Sequence, residues 1–285
     1  MAVALRPIEL VDVPQAGRVC HDAFKAIAEQ HNFPPDFPDP DVAIDLVSKL
    51  SAHPGFYGVV AEEDDRIVGS NFVDERSPIV GLGPITVDPA AQNRGVGAAL
   101  MAHMIERTIR RLAPGLRLVQ SGYHTRSLCL YTKLGFVVRE HLTNLQGPAI
   151  GISIPGYTVR PATATDAEEC NRLCRAVHGH ERGRDLRDAV EQRTASVVER
   201  NGRITGYTTQ IAFFGHAVAE TNEDLKALIA AAPCFAGPGF LLPSRNAELF
   251  QWCLEHGLRM VQPTTLMTIG LYNEPRGAYL PSVLF

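Results

Sequence analysis

The sequence is short of several things, and each shortage excludes a class of function. No apolar run reaches the roughly 20 residues that a membrane-spanning helix needs, and the first residues show no signal-peptide pattern. No membrane partner is therefore expected, and the cytoplasm is the expected compartment. Basic residues are not in excess. The 27 Lys and Arg stand against 31 Asp and Glu, a net charge of −4, so the chain lacks the positive surface that nucleic-acid binding needs. The six cysteines show no framework spacing. Cys170 and Cys174 lie four apart on an expected helix, but no second Cys/His pair follows at zinc spacing. No metal is expected, and these two, with Cys129 and Cys253, read as small helix-core residues. What remains is an ordinary globular composition, 45% apolar and 20% charged over 285 residues. That is enough for one large domain or two medium ones.

Glycine is concentrated where it matters, in Gln92-Asn93-Arg94-Gly95-Val96-Gly97. The stretch follows a short apolar run, Gly83 to Pro89, and precedes an amphipathic helix expected from Ala98 to Leu112, with Leu100, Met101, Met104, Ile105, Ile109 and Leu112 on one face. Strand, glycine loop and helix start together make an anion site. The first N–H groups of a helix have no partner inside it, and the helix dipole favours negative charge there. Two phosphate motifs fail on the letters. A Walker loop ends in Gly-Lys-Ser/Thr, whereas Gly97 is followed by Ala98-Ala99. A dinucleotide fingerprint needs Gly or Ala five residues after its first glycine, where Leu100 stands.

The pattern Gln-x-x-Gly-x-Gly after a strand ending Val-Asp-Pro resembles the acyl-CoA pyrophosphate loop of the GNAT superfamily of N-acetyltransferases. A second block, His124 to Phe136, resembles that superfamily's next motif. It keeps Leu130, Tyr131, Lys133, Leu134, Gly135 and Phe136, while His124 replaces an asparagine and Ser127 an alanine. A strand near Leu116–Ser121 separates the two blocks. The resemblance covers Val3 to Ile154. It implies an α/β (α+β) fold, a mixed, antiparallel-rich GNAT sheet flanked by helices, and acetyl-CoA as co-substrate. The N–H groups of Asn93, Arg94, Gly95, Val96, Gly97 and Ala98 would hold the pyrophosphate, with Gln92 and Arg94 side chains in support. The strand Ile85-Thr86-Val87 would splay and pair with the pantetheine arm. Tyr131 stands at the position of the family's general acid, and a phenol of pKa near 10 stays protonated at neutral pH. The base stays open among His124, Asp74, Glu75, the terminal carboxylate of Phe285 and a water chain, because the strand before Val87 carries no carboxylate or histidine.

Acetyl transfer implies a small-molecule or peptide amine as acceptor. In the family's fold the acyl end of CoA faces the loop between the first two helices, here Val13–Gln30, with Asp12 as N-cap, and Val42–Leu50. That loop, Asn32 to Pro40, is stiff with prolines and offers Phe33, Asp36, Phe37 and Asp39 to an acceptor. The bland alternative is a connector whose phenylalanines tuck into the core. Gly55–Ala61 and Arg66–Val73 read as a strand pair.

The second half echoes the first. Leu5-Arg6-Pro7 with Asp12 recurs as Val159-Arg160-Pro161 with Asp166, and Arg66-Ile67-Val68-Gly69 as Arg203-Ile204-Thr205-Gly206. The block from His124 finds partners in Asn246, Leu249, Cys253, Gly257 and Leu258. These point to two GNAT-like domains in tandem, 1–154 and 157–285, joined by the Gly/Pro-rich stretch 147–156. Where the second copy should carry its glycine loop, the chain reads Phe214 to Glu220 without Gly-x-Gly, and Cys253 stands for Tyr131. One CoA site is expected, in the first half. The apolar ending, Gly270 to Phe285, is expected to dock in a cleft and close the acceptor side. Three functions fit: an N-acetyltransferase, a non-catalytic acyl-CoA-binding regulatory module, or another acyl-CoA-dependent transferase on the same scaffold. Oligomeric state is not legible.

Overall fold

In the computed structural model, residues 3–284 are described. The first half runs β1 (Ala4–Pro7), α1 (Val13–Gln30), α2 (Pro40–Ala52), β2 (Phe56–Glu63), β3 (Arg66–Asp74), β4 (Ile79–Val87), α3 (Val96–Arg110), β5 (Gly115–Ser121), α4 (Thr125–Lys133) and β6 (Val137–Gln146). Local chemistry sets several of these boundaries. Asp39 caps α2, its carboxylate accepting the N–H groups of Asp41 and Val42, with Pro40 in the first turn. Gly17 lets α2 lie directly on α1, since a Cβ there would fall 2.5 Å from the Cα of Ile44. The β2–β3 turn places Asp64 and Asp65 at positive φ, which Asp tolerates better than most residues.

Two details correct the sequence reading. Asp12 does not cap α1 with its side chain. It accepts two hydrogen bonds from Arg6 and one from the Glu9 N–H. The buried face of α3 is also shorter than expected. Leu100, Met101 and Met104 are buried, but Ile109 is 66% exposed and Leu112 lies beyond the helix end, past the part of α3 that lies over the sheet.

The second half repeats the plan: β7 (Thr158–Pro161), α5 (Ala167–His178), α6 (Gly183–Glu191), β8 (Ser196–Arg200), β9 (Arg203–Thr208), β10 (Ala217–Ala219), α7 (Asn222–Ala231), β11 (Phe240–Pro243), α8 (Ala247–Glu255), β12 (Arg259–Gly270) and β13 (Ala278–Leu280). The repeat is visible in side-chain detail. Arg6 bridges Asp12 and Glu62, and Arg160 bridges Asp166 and Glu199 with the same fork geometry.

The strands form two sheets that do not follow the order of the chain. One has the order β1-β2-β3-β4-β5-β12-β6-β11, the other β13-β10-β9-β8-β7. β12 lies antiparallel between β5 and β6, from Arg259↔Gln146 to Thr268↔Val137 on the β6 side. β11 adds on the far edge of β6, Phe240 opposite Leu145. The second half therefore lends two strands to the sheet of the first, and the two halves share one hydrophobic sheet. The core of the first half is built on Val59, Leu82, Leu100, Met104, Leu118, Phe136 and Met267, the last supplied by β12.

Candidate functional site

The site begins where β4 leaves β5. The two pair in parallel only at Ile79↔Gly115, Val80↔Leu116 and Gly81↔Arg117. Beyond Gly81, β4 continues along β3 through a register shift at Gly83-Pro84. Proline has no N–H to give a sheet. From Leu82 to Val87 the β5 side of β4 has no strand partner among the described residues, so its peptide groups face an opening.

At the end of β4 the chain turns through Asp88 to Gly95 into α3. Gly95 holds φ at 87°, the left-handed region that glycine enters without cost. It is the N-cap residue and offers no side-chain acceptor, so the first N–H groups of α3 have no side-chain cap. They open on a cavity of about 420 Å³ lined by Ile85, Thr86, Val87, Gln92, Asn93, Gly95, Gly97 and Ala98 on one wall. Arg126, Cys129, Leu130 and Lys133 of α4 form the opposite wall. A Cβ on Gly97 would stand 3.7 Å from both Val87 Cγ2 and Leu130 Cδ2. The fold tolerates that contact, but any larger side chain would enter the cavity.

The loop's polar side chains are engaged differently than the sequence reading expects. Arg94 turns away to pair with Glu63 and does not line the cavity. Val96 is buried in the core. The cation beside the loop is Arg126, which donates to Gln92 Oε1 and, at 3.2 Å, to Asn93 Oδ1. Gln92 in turn donates to the Val87 carbonyl at 3.2 Å. Arg126 stands in the block that carries the resemblance, two residues after His124 in the first turn of α4. An arginine in the helix that faces a glycine loop is the signal the sequence offers for it.

A second cavity, of about 160 Å³, continues from the first toward the C-terminal segment. His124, Ser127 and Tyr131 line both cavities and stand at their junction. Tyr131 is buried against Phe136, ring centroids 6.1 Å apart, and burial pushes its phenol above the usual value. His124 is pushed the other way, to about 4, by burial first and then by Arg126 and His31. It is neutral at physiological pH.

The loop before α2 reaches this second cavity through Asp36 and Phe37, with Phe37 edge-on to Phe24 at 5.6 Å. Phe33 lines neither cavity and stacks on Tyr123 at 4.2 Å. Asp39 is committed to the α2 cap. Asp74 is held by Arg76, and Glu75 by Arg107 and Arg111, so neither is free to act as a base in the cleft. Phe285 lies outside the described residues. The segment before it does enter the cavity. Val283 and Leu284 line it together with Phe213, Phe214 and Gln262 of the second half, and the Leu284 carbonyl sits where a Cβ on Gly81 would be. Nothing local in the sequence marks Gln262, Phe213 or Phe214, because the pairing of β12 with β5 is what brings the second half here.

The second half also has a cavity beside the corresponding helix, about 430 Å³ and lined by Glu220, Thr221, Asn222, Arg245, Asn246 and Glu274, but there the helix start and the strand edge are taken by the chain's own atoms. Thr221 caps α7, its hydroxyl accepting from the Asp224 N–H while the Asp224 carboxylate accepts from the Thr221 N–H. Glu220, just before the helix, pairs with Arg200 and Arg203. β13 runs antiparallel along β10, Ala217↔Leu280 to Ala219↔Ala278, and packs against β11.

Comparison with known proteins agrees with this geometry. The family model for the acetyltransferase (GNAT) domain matches residues 54–138. A mycothiol acetyltransferase of Stackebrandtia nassauensis is 27% identical over 147 residues, 48% of this chain and 48% of that protein. The match thus spans about half the length of the curated relative. Among solved structures, a candidate acetyltransferase from Pyrococcus horikoshii superposes with a TM-score of 0.75 at 17% identity, covering 96% of this chain and 91% of that one. A GCN5-related N-acetyltransferase from Sphaerobacter thermophilus gives 0.62 at 14% identity, over 95% and 96%. At such identities these two establish the fold, and they do so over nearly the whole chain.

Proposed function

We propose that this chain, which carries a GNAT acetyltransferase domain, is an acetyl-CoA-dependent N-acetyltransferase acting on the amine of a small molecule or peptide. One observation carries the reading. The uncapped N-terminus of α3, the open edge of β4 and Tyr131 all face one continuous space.

The residues present fit the co-substrate. A diphosphate needs several N–H donors and close backbone approach, and Gly95, Gly97 and Ala98 at the start of α3 offer both. Arg126 adds a positive charge at the same mouth. The arm of the co-substrate would lie along Ile85–Val87 and take up the peptide groups that lack a strand partner. Acetyl-CoA supplies the thioester carbonyl that the amine attacks. Tyr131 has the place and the protonation state to donate a hydrogen bond as negative charge builds on the leaving sulfur. Burial keeps its phenol protonated throughout the neutral range. Residues 3–154 would hold the co-substrate, and residues 157–284 would complete the sheet and wall the acceptor side.

A second reading of the acceptor, favoured by the name of the curated relative, places it within the chemistry of mycothiol. The same experiment tests both. Calorimetry with acetyl-CoA should give one site per chain, and a panel of amines should release free CoA thiol in its presence. Tight binding with no thiol release from any amine would leave a regulatory module. Absence of binding would remove the proposal altogether.

A further inference from the structure

The acceptor cavity has one carboxylate among its described lining residues, Asp36. No cation pairs with it among the described residues. Its Oδ1 accepts from Gln262 Nε2 at 3.1 Å, and the Tyr123 hydroxyl fixes that amide by donating to Gln262 Oε1 at 3.2 Å. The carboxylate is thus aimed and held by two neutral groups, one from each half of the chain. Around it the walls are mostly apolar, with Phe24, Phe37, Leu118, Phe213 and Leu284, and include the polar Gln120, Ser121, Ser127 and Thr264.

We propose that Asp36 is the general base of the acetyl transfer, and that the acceptor is a small primary amine with an apolar body. This rests on the acetyltransferase reading above. A carboxylate half-buried without a counter-ion is costly. Burial accordingly raises its pKa above the ordinary 3.8. An arriving ammonium supplies the missing counter-ion, and the raised pKa makes Asp36 a better proton acceptor than a solvated carboxylate. The cavity of about 160 Å³ holds about five waters' worth of volume. That leaves room for a short aliphatic or aryl amine. The step balances. The ammonium proton passes to the Asp36 carboxylate. The freed nitrogen lone pair bonds to the thioester carbonyl carbon, and the C–S bond breaks. The sulfur leaves as thiolate and takes the Tyr131 hydroxyl proton. The attacking nitrogen loses its second proton as the amide forms, and that proton restores the Tyr131 hydroxyl, while Asp36 returns the first proton to solvent.

The titratable groups facing Asp36 are few. They are the Cys20 thiol of α1, pushed up by burial and by Asp36 itself, the Tyr123 phenol, also raised, and His124 and Tyr131 in the same cavity. His31 lies behind Tyr123, ring centroids 5.5 Å apart. His124 is already neutral above about 4. A rise of kcat/KM with pH is assigned to Asp36 where Asp36→Asn removes it.

The test compares wild type, Asp36→Asn and Asp36→Glu with acetyl-CoA and three probe amines: butylamine, isoamylamine and 2-phenylethylamine. Asn keeps the oxygen that accepts from Gln262 and removes a desolvated charge, so the variant should fold, as a melting curve would show. Its kcat/KM should fall roughly 10²-fold or more, its acid limb should disappear, and its Kd for acetyl-CoA should not move. Glu should restore part of the rate together with the limb. An active wild type whose Asp36→Asn variant stays within threefold, or keeps the limb, overturns the base and leaves the acetyltransferase reading standing. A wild type that acetylates spermidine or a lysine peptide but none of the three probes overturns the substrate class. A wild type that binds no acetyl-CoA fails at the earlier reading, and the proposal fails with it.

Discussion

The helices α3 and α7 begin at corresponding places in the two halves and meet opposite fates. At α3 a left-handed glycine leads in with no side-chain cap, and the strand before it lies open on one edge. At α7 a threonine and an aspartate cap each other, a paired glutamate precedes them, and β13 runs beside β10. The same fold thus leaves a helix start and a strand edge free in one half and occupies both in the other, although a cavity of about 430 Å³ remains beside α7. It does so by supplying from the chain itself what a ligand would have brought: carboxylates at the helix start and a strand along the open edge. A second half built on the same plan can keep its architecture without offering the same groups to a ligand. Its own polar atoms satisfy the helix start and the strand edge instead.

Substitutions in the two halves test this contrast directly. The largest effect is expected at Gly97. Its Cβ position is open toward the cavity, so Gly97→Val should leave the melting temperature nearly unchanged. It should raise the Kd for acetyl-CoA by about 10²-fold or more, because the side chain would occupy the diphosphate's place. Asn222→Val at the first position of α7 should leave that Kd alone. Equal effects from the two, measured by calorimetry, would erase the distinction between the grooves.

Next in size is the contrast of Tyr131 with Cys253, its partner in the repeat. Tyr131→Phe should lower kcat by about 10²-fold with little change in acetyl-CoA affinity. Cys253 is fully buried, and Cys253→Ala should show only in stability. A Tyr131→Phe enzyme within about threefold of wild type would remove the tyrosine from the chemistry.

Legibility in the sequence follows from whether the determinants are local. The glycine loop and the Leu-Tyr-x-Lys-Leu-Gly-Phe block are contiguous letters, and on their own they place α3, β5 and α4. Asp39 is also local. An Asp before Pro40 at a helix start is a cap pattern, and the cap takes the carboxylate that the acceptor-loop reading assigns to the substrate. Arg126 is masked inside a block whose resemblance rests on its other residues. Gln262, Phe213 and Leu284 carry no local signal at all. They reach the cleft only because β12 inserts between β5 and β6 and the C-terminal segment folds back on Gly81, pairings that join residues more than a hundred positions apart. The repeat foretells two sheets' worth of strands, but not that β11 and β12 join the sheet of the first half.

The C-terminal segment offers a subtler test, because it serves both grooves. β13 lies along the strand edge of the second, and Val283 and Leu284 line the acceptor side of the first. Removing residues 283–285 should spare β13, leave acetyl-CoA affinity unchanged and raise KM for a small amine by roughly five- to tenfold, as the cavity loses an apolar wall. A folded truncation with unchanged KM would detach the segment from the acceptor.

The smallest expected effect is at the cap of α7, and it asks what occupies the helix start in the second half. Asp224 is wholly buried and accepts from the Thr221 and Thr205 hydroxyls as well as from the Thr221 N–H. Thr221→Ala removes the acceptor for the Asp224 N–H and one donor to its carboxylate. The cost should be about 1 kcal/mol, read as a lower denaturant midpoint at constant slope. Acetyl-CoA stoichiometry should stay at one per chain. Asp224 and Glu220 still place negative charge where phosphates would sit, and β13 still occupies the edge of β10. A second acetyl-CoA bound by the Thr221→Ala protein would mean that a single hydroxyl, rather than strand and carboxylates together, keeps the two halves different.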